Sequence, residues 1–402
     1  MPKTKHISGN INGKSDFHIE FSPANSGGLK VNIHSKTSTL HGKKLNSITK
    51  RTLKDLQVKN GSLTITDNGG QYFVLQARLE AVIKSANPQS NNTSLVDFKK
   101  HAKYKSCRDR FRRSRLYIPG NQAKLMLNAG IHCPDAIILD LEDSVAPSEK
   151  NSARLIVRNA LRTLDFFGAE RMVRINQGNL GIKDLEAIIP HNVHVILIPK
   201  VESAKQLIKI DDEIQRISKD HGIKRDIFLM PILESAAGIL NSLEIAKACK
   251  NNIAIAIGLE DYTADIGVKR TNKGMESLFA RSQVINAARS AGIQAIDTVF
   301  SDVNDESGLR NSVKEASELG FDGKGCIHPR QIQPIHEEFA PDGKDISQAQ
   351  KIVLAFDDAI SKGLGVVSLG SKMIDPPVVK RAQQTINLAL QMNLIQKNWK
   401  KQ

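Results

Sequence analysis

The chain has 402 residues, 40% apolar and 25% charged, which suits a domain of about 100 residues joined to a barrel of roughly 250 or more. Its four cysteines form no CxxC pair, which argues against a disulfide framework and a zinc site. Its amino terminus has no apolar signal core, and no run approaches the roughly 20 apolar residues of a membrane span. These observations predict a soluble, cytoplasmic protein. Of the net charge of +15, most lies in residues 1–110, with 19 Lys and Arg against 7 Asp and Glu; no nucleic-acid-binding motif accompanies it, so it indicates a separate basic module.

Residues 1–86 are predicted to form a small α+β domain. The segments 16–21 (DFHIEF) and 29–35 (LKVNIHS) alternate apolar and polar residues as strands do. A helical run follows over about 40–58, and then a strand and turn over 62–70. The segment 73–86 (FVLQARLEAVIKSA) could begin as a strand and continue as a helix.

Residues 87–110 are predicted to be a flexible linker. They are rich in Asn and Ser and then in Lys and Arg, with no sustained apolar period. Such a composition marks a connection between domains.

Residues 111–340 are predicted to form a (β/α)8 TIM barrel. Eight short apolar runs, each followed by a helical stretch, begin near residues 115, 136, 171, 193, 227, 253, 294 and 323. A doubly wound sheet is the alternative fold, but no GxGxxG follows the first strand and the strand count is high for it. Residues 341–402 read as a helical extension interrupted by an extended stretch.

Polar residues cluster where the predicted barrel strands end. In a barrel, the chemistry lies at the carboxyl ends of the strands. A polar residue at any single strand end is explained by turn chemistry, but its recurrence around the rim predicts an active site. The rim residues, in chain order, are Asp140, Glu142, Asp143, Arg174, Asn176, Lys200, Glu202, Glu234, Glu260, Asp261, Asp297, Asp302 and His328.

Several carboxylates without a His/Cys set favour a hard divalent cation, Mg²⁺ or Mn²⁺. Arg174 would bind a substrate carboxylate or a polarised carbonyl in bidentate fashion. Cation and guanidinium together stabilise oxyanion charge, which carbon–carbon cleavage beside a carbonyl requires. His328, before a proline, is more typical of a structural turn, and Cys326 of a core residue.

Seven ordered motifs resemble the beta subunit of citrate lyase and its malyl-CoA and citramalyl-CoA lyase relatives. They are RRSRLYIPG (112–120), DLEDSV (140–145), VRIN (173–176), PKVE (199–202), ILESAAGI (232–239), GLEDYTADIG (258–267) and GCIHP (325–329). The resemblance implies an oligomeric barrel enzyme that uses Mg²⁺. It further implies that Glu234 and Asp261 bind the metal, that Arg174 binds substrate, that Glu142 and Asp143 lie in the catalytic site, and that Arg113 binds an anion.

The front domain resembles the gamma subunit of citrate lyase, its acyl carrier protein, over about residues 7–86 and most clearly at QARLEA (76–81). The resemblance implies a serine that carries a phosphoribosyl-dephospho-CoA prosthetic group. Ser15 is the nearest candidate and Ser8 the fallback, because Lys14 stands where the modified serine would align. A turn serine with no modification is the plain alternative for Ser15.

The two resemblances predict a fused citrate lyase chain that cleaves carrier-bound citryl thioester into oxaloacetate and acetyl thioester. A citrate lyase alpha subunit, as the separate acyl transferase, is the expected partner. Three alternatives stay open: a malyl- or citramalyl-type lyase on free CoA thioesters with a vestigial front domain, a non-catalytic scaffold or nucleic-acid-binding protein, and a pyruvate aldolase.

Overall fold

The computed structural model describes residues 4–36, 38–271, 273–361, 367–369 and 372–401. The chain forms a four-stranded front sheet, a closed eight-stranded barrel and a helical hairpin at the end. Among these residues, no helix combines the length and apolarity needed to cross a membrane.

The front domain packs two helices on one face of a mixed sheet. Its elements are β1 (His6–Ser8), β2 (Phe17–Pro23), β3 (Leu29–Ser35), α1 (Ser38–Asp55), β4 (Gly61–Asp67) and α2 (Tyr72–Ala86). The sheet order is β1-β2-β4-β3, with only the β3–β4 pair parallel. Phe17 and Ile19 of β2 are fully buried, as the alternating pattern predicts.

Two details of the front domain differ from the sequence prediction. The segment 73–86 is helical throughout, because ten residues of α2 are buried between the sheet and the barrel and a helix can bury several sides at once. Strand β1 was not predicted, because three residues are too few to show a period.

The prediction of a flexible linker over 87–110 differs from the structure, in which this segment lies along the barrel. Ser94, Val96 and Ala102 are buried, and Lys99 donates its backbone N–H to the carbonyl of Arg162 at 2.9 Å. The hydroxyl of Tyr104 donates to the carbonyl of Ala169 at 2.6 Å. Polar composition concealed these contacts, since they are made to backbone groups and show no apolar period.

The barrel confirms the predicted fold. Its parallel strands are β5 (Ser114–Pro119), β6 (Ala136–Asp140), β7 (Glu170–Arg174), β8 (Val195–Ile198), β9 (Phe228–Leu233), β10 (Ala254–Ile257), β11 (Gln294–Asp297) and β12 (Gly323–Cys326), and β12 pairs with β5 to close the cylinder. Its helices are α3 (Ala123–Leu127), α4 (Lys150–Thr163), α5 (Gly178–Ile188), α6 (Ala204–Asp220), α7 (Ala236–Leu240), α8 (Ser242–Lys247), α9 (Leu259–Asp265), α10 (Leu278–Ala291), α11 (Glu306–Leu319) and α12 (Ile332–Glu338).

Most side chains of the strands are apolar, because one side of each strand faces the barrel interior and the other the surrounding helices. Ile138, Met172 and Leu197 fill the interior, whereas Ile137 and Val173 pack outward. The parallel direction brings all eight carboxyl ends to one mouth.

The chain ends in an antiparallel helical hairpin. Helices α13 (Gly343–Ser361) and α14 (Pro376–Gln391) are connected through β13 (Val367–Leu369) and β14 (Lys372–Ile374), which pair antiparallel. The two helices pack chiefly on each other, around a small separate core that includes Trp399.

Candidate active site

A cavity of about 360 Å³ lies at the carboxyl-end mouth of the barrel. It brings together residues from seven of the eight strand ends, which are far apart in the sequence. Four of the predicted site residues line it, namely Asp143, Arg174, Glu234 and Asp261. Tyr117 and Asp140 line it as well.

Arg174 is fixed by Asp140, its neighbour on the next strand. The register of β6 and β7 pairs the two residues, and Arg174 Nε and Nη2 each donate to an Asp140 carboxylate oxygen at 2.7 Å. Burial would raise the pKa of Asp140, but the bonds and charge of Arg174 outweigh it and hold that pKa below its usual value. The guanidinium also lies over the Tyr117 ring, 5.3 Å from its centre. The bidentate pair leaves Nη1 directed at the other carboxylates.

Glu142 lies beside that free nitrogen and is only 5% exposed. Its Oε2 is 3.0 Å from Arg174 Nη1, but without hydrogen-bond geometry, so this buried oxygen has no hydrogen-bond partner. Burial raises the pKa of Glu142, and the charge of Arg174 opposes the rise while Asp143 adds to it. Asp143 is more open, with 57% of its side chain exposed, and its Oδ2 is 3.6 Å from Arg174 Nη1.

Glu234 follows β9 and is 6% exposed. Its Oε1 accepts a hydrogen bond of 2.8 Å from the backbone N–H of Lys200. Burial raises the pKa of Glu234 to about 8, and the negative charges of Asp261 and Glu142 contribute to the rise. Gly258 makes room for this side chain, since a Cβ there would lie 2.5 Å from Glu234 Oε2.

Asp261 lies in the first turn of α9, directly after β10. The Lys200 ammonium is 3.7 Å from Asp261 Oδ2 and 3.9 Å from Glu142 Oε1. Burial would lower the pKa of Lys200, but the surrounding carboxylates, Asp143 and Asp261 foremost, raise it overall. The ammonium thus occupies a region of negative potential that also suits a metal cation.

The donor set fits a hard divalent cation. Burial raises the pKa of the Glu234 carboxyl, and the negative charge of Asp261 adds to that rise. A bound positive ion would oppose both effects. No group of three or more His, Cys, Asp or Glu side chains within the described residues has the spacing of a complete metal cage. One or two carboxylates with substrate oxygens and water are the usual ligands of Mg²⁺.

Arg113, which was predicted to bind an anion, does not line this cavity. Arg113 precedes β5, so it lies at the amino-terminal end of the barrel, opposite the cavity. Its Nε and Nη2 bind the two carboxylate oxygens of Asp135 at 2.8 and 2.9 Å. It therefore has a structural partner. The direction of the strand could have excluded it from the sequence, since the residue stands at the start of the run.

The two candidate serines differ in accessibility. Ser15 is partly buried in a turn with a left-handed φ of 58° and lines a cleft of about 420 Å³ between the front domain and the barrel. Ser8 is 5% exposed, and its hydroxyl is 3.2 Å from that of Ser152. Of the two, Ser15 can be reached from solvent.

Three residues that line this cavity or bind its carboxylates had no predicted site role, namely Tyr117, Asp140 and Lys200. Asp140 and Lys200 were among the predicted rim residues. The negative charge of Asp140 could have identified it as a partner of Arg174, and the positive charge of Lys200 could have identified it as a partner of the carboxylates. Tyr117 lies within its strand, and only knowledge of which side faces inward could have selected it.

Comparison with known protein families finds one match to the barrel and another to the front domain. The family model described as HpcH/HpaI aldolase/citrate lyase matches residues 113–329. An acyl carrier (ACP) family model, described as malonate decarboxylase delta subunit (MdcD), matches residues 3–86.

Two curated relatives and one solved structure resemble the barrel part. The chain is 40% identical to citrate lyase subunit beta of Leuconostoc mesenteroides subsp. cremoris over 71% of its length and 96% of the relative. It is 33% identical to human mitochondrial citramalyl-CoA lyase over 69% of its length and 85% of the relative. The crystal structure of the CitE protein from Mycobacterium tuberculosis with magnesium, acetoacetate and coenzyme A matches with a TM-score of 0.60 and 29% identity, over 70% of this chain and 99% of that one.

Proposed function

The chain belongs to the HpcH/HpaI aldolase/citrate lyase family, and we propose that it cleaves a citryl thioester carried by its own front domain into oxaloacetate and acetyl thioester. One observation carries the lyase assignment: Glu234, Asp261 and Arg174 line the same cavity at the barrel mouth. The acyl-carrier-like domain in the same chain favours the tethered substrate.

Glu234 and Asp261 are the residues that would bind Mg²⁺, which is present in the similar M. tuberculosis structure. When bound, the ion would supply positive charge to the substrate oxygens beside the bond that breaks. The raised pKa of Glu234 is consistent with this role, since the carboxyl becomes a ligand by losing its proton.

Arg174 would orient the keto-acid half of the substrate. Asp140 holds two of its nitrogens, so the guanidinium is preorganised and Nη1 can donate to a substrate oxygen without rearrangement. Tyr117 supports the guanidinium from the side.

Glu142 and Asp143 are the carboxylates that can accept a proton from the tertiary hydroxyl of the citryl group. As that proton leaves, the C–O bond becomes the keto group of oxaloacetate and the adjacent carbon–carbon bond breaks. Its electron pair passes to the acetyl thioester as an enolate, which is then protonated at carbon. The raised pKa of Glu142 suits this residue to accepting the proton.

The carrier role would require a prosthetic group on a serine, and Ser15 is the proposed attachment site for a phosphoribosyl-dephospho-CoA group. An alpha subunit with acyl transferase activity would then exchange acetyl for citrate on that arm. The alternative is a malyl- or citramalyl-type lyase on free CoA thioesters, which the identity to human citramalyl-CoA lyase favours.

The deciding experiment measures the intact mass of the chain isolated from its native host and then assays the isolated protein. An adduct of several hundred daltons on Ser15, absent from Ser15→Ala and retained in the exposed-turn control Ser26→Ala, supports the carrier role. Single-turnover release of oxaloacetate should be lost in Glu234→Gln and Asp261→Asn but kept in Glu244→Gln, on the exposed side of α8. Absence of any adduct, with turnover of free citramalyl-CoA instead, would favour the alternative.

A further inference from the structure

We propose that the front domain is docked on the barrel by a buried polar interface in which Arg78 positions the Ser15 turn at the edge of the barrel mouth. The docking is inferred only from the contacts between the front domain and the barrel. What Ser15 carries rests on the proposed function.

Arg78 of α2 connects the Ser15 turn to the barrel and is 2% exposed. Its Nε and Nη2 bind the carboxylate of Asp16, the residue after Ser15, at 3.1 and 2.7 Å. Its Nη1 donates to Glu149 Oε2 and to the Ser152 hydroxyl, both at 2.7 Å. One guanidinium therefore binds the turn on one side and the barrel on the other.

A second ion pair joins α2 to the barrel close to Arg78, at Glu80. Arg158 of α4 donates from Nη1 and Nη2 to the two carboxylate oxygens of Glu80, at 3.0 and 2.9 Å. Glu80 is fully buried and Arg158 is 3% exposed. The amide of Asn159 also donates to the carbonyl of Phe73 at 2.9 Å. Removal of either member of this ion pair would leave the other charge buried without its partner, which is costly.

The cleft that contains Ser15 lies on the mouth side of the barrel. Its barrel wall includes Asn121, Gln122 and Lys124, which follow the carboxyl end of β5. Pro119, at that end, lines the mouth cavity. Since all carboxyl ends of the parallel strands lie on one face, an arm attached at Ser15 would start beside the active site.

The cleft offers polar groups to such an arm. Lys14 and Lys124 lie on opposite walls. The side chains of Asn121 and Gln122 add polar groups to the barrel wall. Docking in this position replaces a freely moving carrier with a fixed one, which raises the effective concentration of the acyl group at the mouth.

The docking is tested on the full chain by amine cross-linking and peptide mass spectrometry. We expect a cross-link between Lys14 and Lys124, at reduced yield in Arg78→Gln and in Glu149→Gln, which keeps the Asp16–Arg78 pair. Arg216→Gln, which removes exposed ion pairs on α6, should match the parent chain. Cross-links from Lys14 confined to the front domain of the parent chain would overturn the proposal.

The positioning role is tested by the ratio of two rates, the single turnover of citryl group loaded on the carrier and the turnover of the same acyl group on free CoA. In Arg78→Gln this ratio should fall by about 10- to 100-fold, as expected when a reacting group is misplaced. An unchanged ratio would overturn the positioning role. Failure of the parent chain with loaded carrier would instead count against the proposed function, and cross-linking would still decide the docking.

Discussion

The chemistry of the mouth depends on Glu234, a carboxyl whose surroundings oppose its ionisation. Burial comes first, followed by the like charges of Asp261 and Glu142, and together they outweigh the hydrogen bond from Lys200. Such a residue is neutral at pH 7 until a cation arrives. The affinity of the site for metal is therefore coupled to pH.

We expect the affinity for Mg²⁺ to rise about tenfold per pH unit between about pH 5.5 and 7.5, and to level off above the Glu234 pKa of about 8, because binding releases one proton. Whereas the affinity for metal rises with pH, the stability of the metal-free protein should fall as the pH rises. The pKa of Glu234 in the folded state exceeds its ordinary value of 4.5. Its contribution to the free energy of unfolding is therefore fully present below pH 4.5 and is lost as the pH rises towards 8.

Calorimetric titration with Mg²⁺ at several pH values measures the affinity, and urea unfolding without metal measures the stability. Glu234→Gln should bind metal weakly and without this pH dependence. An affinity in the parent chain that stays constant from pH 5.5 to 7.5 would contradict the coupling.

A single glycine permits the position of this carboxylate. In Gly258→Ala the new Cβ would lie 2.5 Å from Glu234 Oε2, so the Glu234 side chain must shift from its position. We expect Mg²⁺ affinity and lyase turnover to fall by at least about tenfold, since a small misplacement of a reacting group costs this much. Gly343→Ala is the matched control, because its Cβ would meet no atom within 4 Å. Equal affinity in both variants would contradict the argument.

At the scale of elements, most of the barrel and most of its site could be predicted from the sequence. The eight strands are buried on both sides, so each appears as a short apolar run, and a parallel barrel places the residue after each run on one face. Asp143, Arg174, Glu234 and Asp261 were selected by this rule. Arg113 violated it, because it stands before its strand and not after.

The carrier–barrel interface could not be predicted in the same way. Glu80 and Arg158 are separated by 78 positions and belong to different domains, and on a sequence each reads as an ordinary exposed charge of an amphipathic helix. Their burial follows only from the packing of α2 on α4.

This ion pair allows a stability prediction. Glu80→Gln leaves the Arg158 guanidinium buried without its carboxylate and should lower the free energy of unfolding by about 3–5 kcal/mol. Adding Arg158→Met should recover part of that loss, because it removes the buried charge that Glu80→Gln leaves without a carboxylate. Urea unfolding followed by circular dichroism measures both variants.

The control for this prediction is Asp220→Asn, which breaks an ion pair with Arg216 in which both side chains are at least half exposed. It should cost less than about 1 kcal/mol. A similar small cost for Glu80→Gln would indicate that the two domains separate readily.

At the scale of the whole molecule, the segment 87–110 lies along the barrel and does not act as a mobile tether between the domains. Its polar composition predicted a mobile tether, yet Tyr104 both binds a barrel carbonyl and lies 4.2 Å beneath the Arg171 guanidinium. Composition reports how much apolar area a segment can bury, but not whether its polar groups meet partners on a neighbouring surface. The front domain and barrel thus form one body, and the carboxy-terminal hairpin is the part with its own small core.

The hairpin should unfold before the rest of the molecule. Trp399, the single tryptophan of the chain, packs on Val353 and Ile386 in a cluster separate from the barrel core, and a region with few buried apolar contacts opens at low free energy. We therefore expect tryptophan fluorescence to change at a lower urea concentration than far-ultraviolet circular dichroism, which is dominated by the barrel. Ile386→Ala should move the fluorescence transition to still lower urea, by the equivalent of about 2–5 kcal/mol, and leave the main dichroism transition in place. Coincidence of the two transitions in the parent chain would show that the hairpin unfolds together with the barrel.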